Sequence, residues 1–237
     1  MLAALVVTGA LGVTLALVGG GGSLSAVDAP SIPPELTRLA ELAGVSSASS
    51  RPLVAAWNKG HGVPLSLRRE LAGWVELDGV PHARLIYRRD HERRHDVFCE
   101  ELLRLQPDAI ACSRRVVGST TFELDPPQPI LKLPLTPGSS WSWEGRVGVH
   151  RARAEFRVLP GDPERPTRIE VEQVTTLLPE GKGDEPLVST RRVAYGLGVG
   201  FAEESGQFPV GEAGMPVDWL EAEIAIVDSA TSPTSSE

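Results

Sequence analysis

At 237 residues the chain is long enough for one sizeable domain or two small ones, and 41% hydrophobic with 23% charged residues is a globular composition. The net charge of −8 excludes a nucleic-acid partner, which would need clustered positive charge, and gives no attraction to an anionic lipid surface.

The chain opens on an uncharged apolar run, Leu2 to Val18, followed by four glycines. It is long for a signal-peptide core and short for a membrane span, so residues 1–26 read as a signal peptide or a membrane anchor. Ser23 and Ser25 are small residues placed for cleavage after Ser25. Under either reading the remainder is exported, to the periplasm or the cell exterior.

Residues 27–50 read as a helix and a linker. Pro33 to Gly44 carries Leu36, Leu39, Ala40 and Ala43 at helical spacing, opened by prolines and closed by glycine, and SSASS follows. A second helix is expected over Leu65 to Gly73. From Trp74 the period becomes that of a strand, and residues 51–228 read as one β-rich domain. Strands are expected over Ala83 to Arg89, Val97 to Leu105, Ile110 to Val117 and Thr120 to Leu124. The plainest case is Arg151 to Val158, where Ala152, Ala154, Phe156 and Val158 alternate with charged residues. Gly/Pro turns then separate strands around Ile169 to Leu177, Leu187 to Tyr195 and Leu220 to Ile226. Residues 229–237 have nothing to bury and read as a disordered tail.

Cys99 and Cys112 flank the turn-like Gln106-Pro107-Asp108. A tight turn there sets Cys112 opposite Leu103 rather than Cys99, so a disulfide needs a bulge or a longer loop; two separate thiols are the alternative.

HERRH, from His91 to His95, satisfies the H-E-x-x-H pattern of zinc proteases, with both histidines as ligands and Glu92 as general base. Such a helix crosses a core, yet the neighbours are Arg88, Arg89, Asp90, Arg93, Arg94 and Asp96. The arginines would repel a dication, and no third ligand sits on a plausible second helix. A solvated hairpin connection is the better reading; a zinc-dependent hydrolase is the alternative. Gly196 to Gly200 has no following helix for a phosphate and reads as a turn. The paired acids Glu100-Glu101 and Glu203-Glu204 read as solvated surface. Trp141 and Trp143 share one strand face, which suits a core or, in the minority reading, an apolar pocket.

The stretch PPQPILKLPLTPGSSWSWEG, Pro126 to Gly145, resembles the "P-L-x-x-G-x-x-W-x-W/Y" segment of uncharacterised exported bacterial β-proteins, the TapB-like group. Tyr195, Gly198, Val199, Gly200 and Phe201 match that group's second signature, "Y-x-x-G-V-G-x-V", and Ala202 replaces its last valine. The resemblance implies an antiparallel, strongly curved sheet akin to lipoprotein-carrier folds, with no established catalytic residues.

The reading is therefore mainly β: an antiparallel, half-barrel-like meander with one or two N-terminal helices. The expected function is a non-enzymatic cell-envelope binding or interaction module for an apolar ligand, with a purely structural envelope protein as a further alternative. The expected cleft lies near Trp141, Trp143 and Phe156. No catalytic residue, metal or cofactor is expected, and the partner is a hydrophobic small molecule or another envelope protein. Contact with a membrane is expected only through the N-terminal segment.

Overall fold

The computed structural model describes residues 24–46, 50–57, 65–89, 97–117, 120–164, 167–178, 185–196, 200–210 and 218–226. Its elements are β1 (Ser25–Val27), a single 3-10 turn (Pro34–Leu36), α1 (Thr37–Ala43), β2 (Ser50–Trp57), β3 (Leu65–Leu77), β4 (Val80–Arg89) and β5 (Val97–Gln106). There follow β6 (Ala109–Val117), β7 (Thr120–Lys132), β8 (Ser140–Val147), β9 (His150–Val158), β10 (Arg168–Leu177), β11 (Leu187–Gly196), β12 (Gly200–Val210) and β13 (Asp218–Ile226).

All thirteen strands belong to one antiparallel sheet, ordered β1-β3-β2-β13-β12-β11-β10-β9-β8-β7-β6-β5-β4. β3 also pairs with β4, which curls the sheet round on itself. It stays open along one seam, where β7 and β8 pair only at Leu124↔Val147 and Asp125↔Arg146.

The expected phases are visible in the burial. Along β9 the even positions from Ala152 to Val158 are buried and the odd ones exposed. These even residues face the hollow of the sheet, and α1 lies in that hollow. The helix contacts β6 and β7 on one wall and β11 and β12 on the other, strands separated by β8 to β10 in the sheet order. Leu36, Leu39, Ala40, Leu42, Ala43 and Val45 are all at most 2% exposed and share one core with Phe156, Trp143, Leu85 and Leu131. Burying each of the three leucines is worth roughly 1.5–3 kcal/mol, an upper bound against an extended chain. Helix and strands are thus stabilised together. Among the described residues no helix is long and apolar enough to cross a membrane.

Three expectations need correction. Leu65 to Gly73 is not a helix but the first part of β3. Its Leu67 to Glu70 pair with β2 on one side and β4 on the other, and two ladders satisfy its backbone better than an isolated short helix could. The sheet also contains β1, β2 and β12, which the sequence pattern did not single out. The last concerns Glu100 and Glu101, which are not solvated surface: their side chains are 12% and 14% exposed, and they pair with Arg84 and Arg115.

The turn at Pro107–Asp108 does set Cys112 opposite Leu103, and Cys99 lies opposite Val117 and Tyr87. The two cysteines are thiols, not a disulfide. Residues 1–23 and the segments 90–96, 197–199 and 227–237 lie outside the described residues, so the leader, HERRH, the middle of the glycine turn and the tail stand as sequence readings. What is described on either side of HERRH is an antiparallel pair, β4 and β5.

Candidate functional site

The hollow of the sheet is apolar except at one end of α1. The helix finishes at Gly44, whose left-handed φ of 66° closes the last turn. That leaves the Ala43 carbonyl pointing away from the helix, and the Arg69 guanidinium donates to it at 2.6 Å. Arg69 is 5% exposed, donates through Nε to the Tyr87 hydroxyl at 3.3 Å and lies 5.9 Å from the centre of that ring. Tyr87 in turn donates to Glu101 at 3.2 Å, and Arg115 Nε donates to the other Glu101 oxygen at 2.8 Å. Arg191 donates to Gln173 at 2.7 Å nearby. A cavity of about 30 Å³ lies among Ala43, Arg69, Tyr87, Glu101, Arg115 and Arg191, room for water but not for an organic ligand.

The electrostatics of this chain of groups follow from burial and the guanidiniums. Burial alone would raise the Glu101 carboxyl, but Arg115, Arg191 and Arg69 outweigh it and hold the group below the usual carboxylate range. Burial, with the Glu101 charge beside it, pushes the Tyr87 phenol well above its ordinary value. Burial likewise pushes the Cys112 thiol up to about 12, so it stays protonated at neutral pH.

The sequence carried a signal for this cluster. Arg69 falls in phase with Leu67 and Leu71, and Glu101 in phase with Leu103 and Leu105, so each places a charge where the apolar alternation should continue. The pairings Arg69↔Tyr87 and Glu101↔Arg115 then join positions 14 to 18 residues apart in sequence.

Trp141, Trp143 and Phe156 do come together. Trp141 stacks on Phe156 with ring centres 5.1 Å apart and planes 7° from parallel. Phe156 and Trp143 are core residues, at 2% and 5% exposure. Open space adjoins Trp141. It is a cleft of about 320 Å³ between the end of β7 and the start of β8, lined by Lys132, Leu133, Pro134, Ser140, Trp141 and Ser142.

On the convex face His82 is sealed at 2% exposure. Its Nδ1 lies 2.8 Å from the Val80 carbonyl, which can only accept, so Nδ1 carries the proton and Nε2 accepts from the Ser113 hydroxyl at 2.8 Å. Burial lowers its pKa, and the charges of Arg104 and Arg114 lower it further. Both ring nitrogens of His82 thus have a hydrogen-bond partner within the buried pair. Among the described residues no cluster of His, Cys, Asp or Glu is arranged to hold a metal.

No family model matches the chain, and no curated protein matches it. A solved structure from Parabacteroides distasonis ATCC 8503, a chain provisionally named a lipoprotein, is similar at 8% identity and a TM-score of 0.37, over 76% of this chain and 94% of that one. A likeness of that degree carries no argument about activity.

Proposed function

We propose that the chain is an exported cell-envelope binding module of the TapB-like kind, which takes an apolar ligand into the hollow of its curved sheet. The observation that carries the reading is the occupant of that hollow. A helix of seven residues, with the turn before it, fills an apolar concavity that the sheet would otherwise leave open. An exposed apolar face of that kind needs a cover, and α1 is that cover: its leucines pack into the core, and among the described residues the Arg69 side chain ties its end at Ala43. The ligand competes with α1, so its apparent affinity is reduced by the fraction of molecules in which the helix is seated.

The test uses cis-parinaric acid, a fatty acid that fluoresces when desolvated. Wild-type protein should bind it weakly. Arg69→Ala and Gly44→Ala, which remove or displace the contact with the helix end, should each bind it several-fold more tightly while remaining folded by circular dichroism. Absence of uptake by all three proteins would leave a purely structural envelope role.

A further inference from the structure

Arg69 is a buried cation held by neutral groups. Its guanidinium donates to the Ala43 carbonyl and to the Tyr87 hydroxyl and lies near the Tyr87 ring, and the residue is 5% exposed. A buried charge is costly unless an opposite charge answers it. Glu101 is close enough to feel Arg69, but its oxygens are engaged elsewhere. One takes Nε of Arg115 at 2.8 Å and Nη2 of the same guanidinium at 2.7 Å; the other takes the Tyr87 hydroxyl at 3.2 Å.

Both terminal nitrogens of Arg69 face the end of α1. Nη2 donates to the Ala43 carbonyl at 2.6 Å, and a Cβ placed on Gly44 would stand 2.5 Å from Nη1. Nε is turned to the Tyr87 hydroxyl instead. The planar fork that suits a carboxylate is thus laid against a helix terminus, whose last carbonyls carry partial negative charge. The seated helix stands in for an anion. Beside it is the cavity of about 30 Å³, room for about two waters, lined by Arg115 and Arg191 as well as Arg69. The two oxygens of a carboxylate match that space.

We propose that the ligand of the hollow is an amphiphile with a carboxylate head, which replaces the Ala43 carbonyl on Arg69 while its chain lies where the α1 leucines pack. This rests on the reading that an apolar ligand displaces α1, and adds what that ligand carries. A charge-assisted hydrogen bond is roughly twice as strong as one to a neutral acceptor, and the fork can make a pair of them. Exchange of helix for ligand therefore gains at the guanidinium and offsets part of the packing lost by Leu36, Leu39 and Leu42. A neutral chain has no such gain.

The test displaces a neutral dye, N-phenylnaphthylamine, from the purified protein at neutral pH, using dodecanoate, dodecanol and dodecyl phosphate. The competitors share the same chain, so any difference between them belongs to the head. Dodecanoate should displace the dye at about tenfold lower concentration than dodecanol. Arg69→Ala releases α1 for both alike, so the preference for the acid should vanish whatever happens to the separate affinities. Should Arg69→Ala not fold, the wild-type preference decides. Equal displacement by acid and alcohol would overturn the inference while leaving an apolar ligand in the hollow. A preference that survives Arg69→Ala would overturn it too, because the head would then be held elsewhere. Stronger displacement by dodecyl phosphate than by dodecanoate would rule out the carboxylate. Failure of the protein to take up the dye or any competitor would remove the reading of the hollow and this inference together.

Discussion

Phe156 lies flat against Trp141 and has almost no contact with water. Truncation removes both the buried area and the stacked ring, so Phe156→Ala should cost about 3–5 kcal/mol in urea denaturation. A cost under about 1 kcal/mol would mean that the core does not close over this position. The phase that predicts its burial was legible because charged and apolar residues alternate without a break from Arg151 to Val158. Glu101 was not legible, since an acid beside another acid is ordinarily solvated; only the guanidiniums brought across from other strands make burial tolerable. Its lowered pKa has a consequence for pH. The stability it contributes is fully present above the ordinary value of 4.5 and is lost as the pH falls through the lower folded value. Replacement by Gln should therefore flatten the acid limb of the urea midpoint between about pH 5 and pH 3. An unchanged limb would assign that loss to other carboxylates. His82 has the same sign from a higher start: its contribution is present above 6.5 and declines as the pH drops below that, so His82→Gln should remove the earlier part of the slope.

At the scale of elements, glycine sets how close β7 and β8 can come. A Cβ on Gly145 would stand 2.5 Å from the Asp125 carbonyl oxygen and 2.9 Å from Pro126 Cδ. Backbone cannot yield as a flexible side chain can, so Gly145→Ala should destabilise the protein by about 1–3 kcal/mol and shift the Trp143 fluorescence. No change in either would show that the strands part more readily than their separation implies. Elements with one wet face, such as β9, declared themselves in the sequence. β3 did not, because Leu65, Arg68, Arg69 and Leu71 also suit a helix; strands on both sides decide the matter, and no local window contains them. The open space beside Trp141 was not legible for the same reason: Trp141 stood out as a distinctive residue, but the residues that border it come from the end of β7 as well as the start of β8.

For the whole molecule, export remains a proposal drawn from the first residues. N-terminal sequencing of the mature protein should begin within a few residues of Ala26, and a soluble cytoplasmic product retaining Met1 would exclude it. Processing there bears on β1, where Ser25, Ala26 and Val27 pair with Glu76, Val75 and Trp74, and Leu24 packs on Val75, Leu77 and Leu102. Cleavage after Ser25 should lower the melting temperature relative to a chain that keeps both residues, a comparison two purified forms would settle.

The order of the strands also fixes an order of events. Nearly every strand pairs with the one just before it in sequence, so the meander can grow as the polypeptide is made, each hairpin closing within tens of residues. β2 is the exception: one of its neighbours is β13, the last strand in sequence among the described residues. Until that strand arrives, β2 and β12 both present bare edges, and the nascent chain is exposed to pairing with another copy of itself. A ribosome stalled before Asp218 would hold the protein in that vulnerable form.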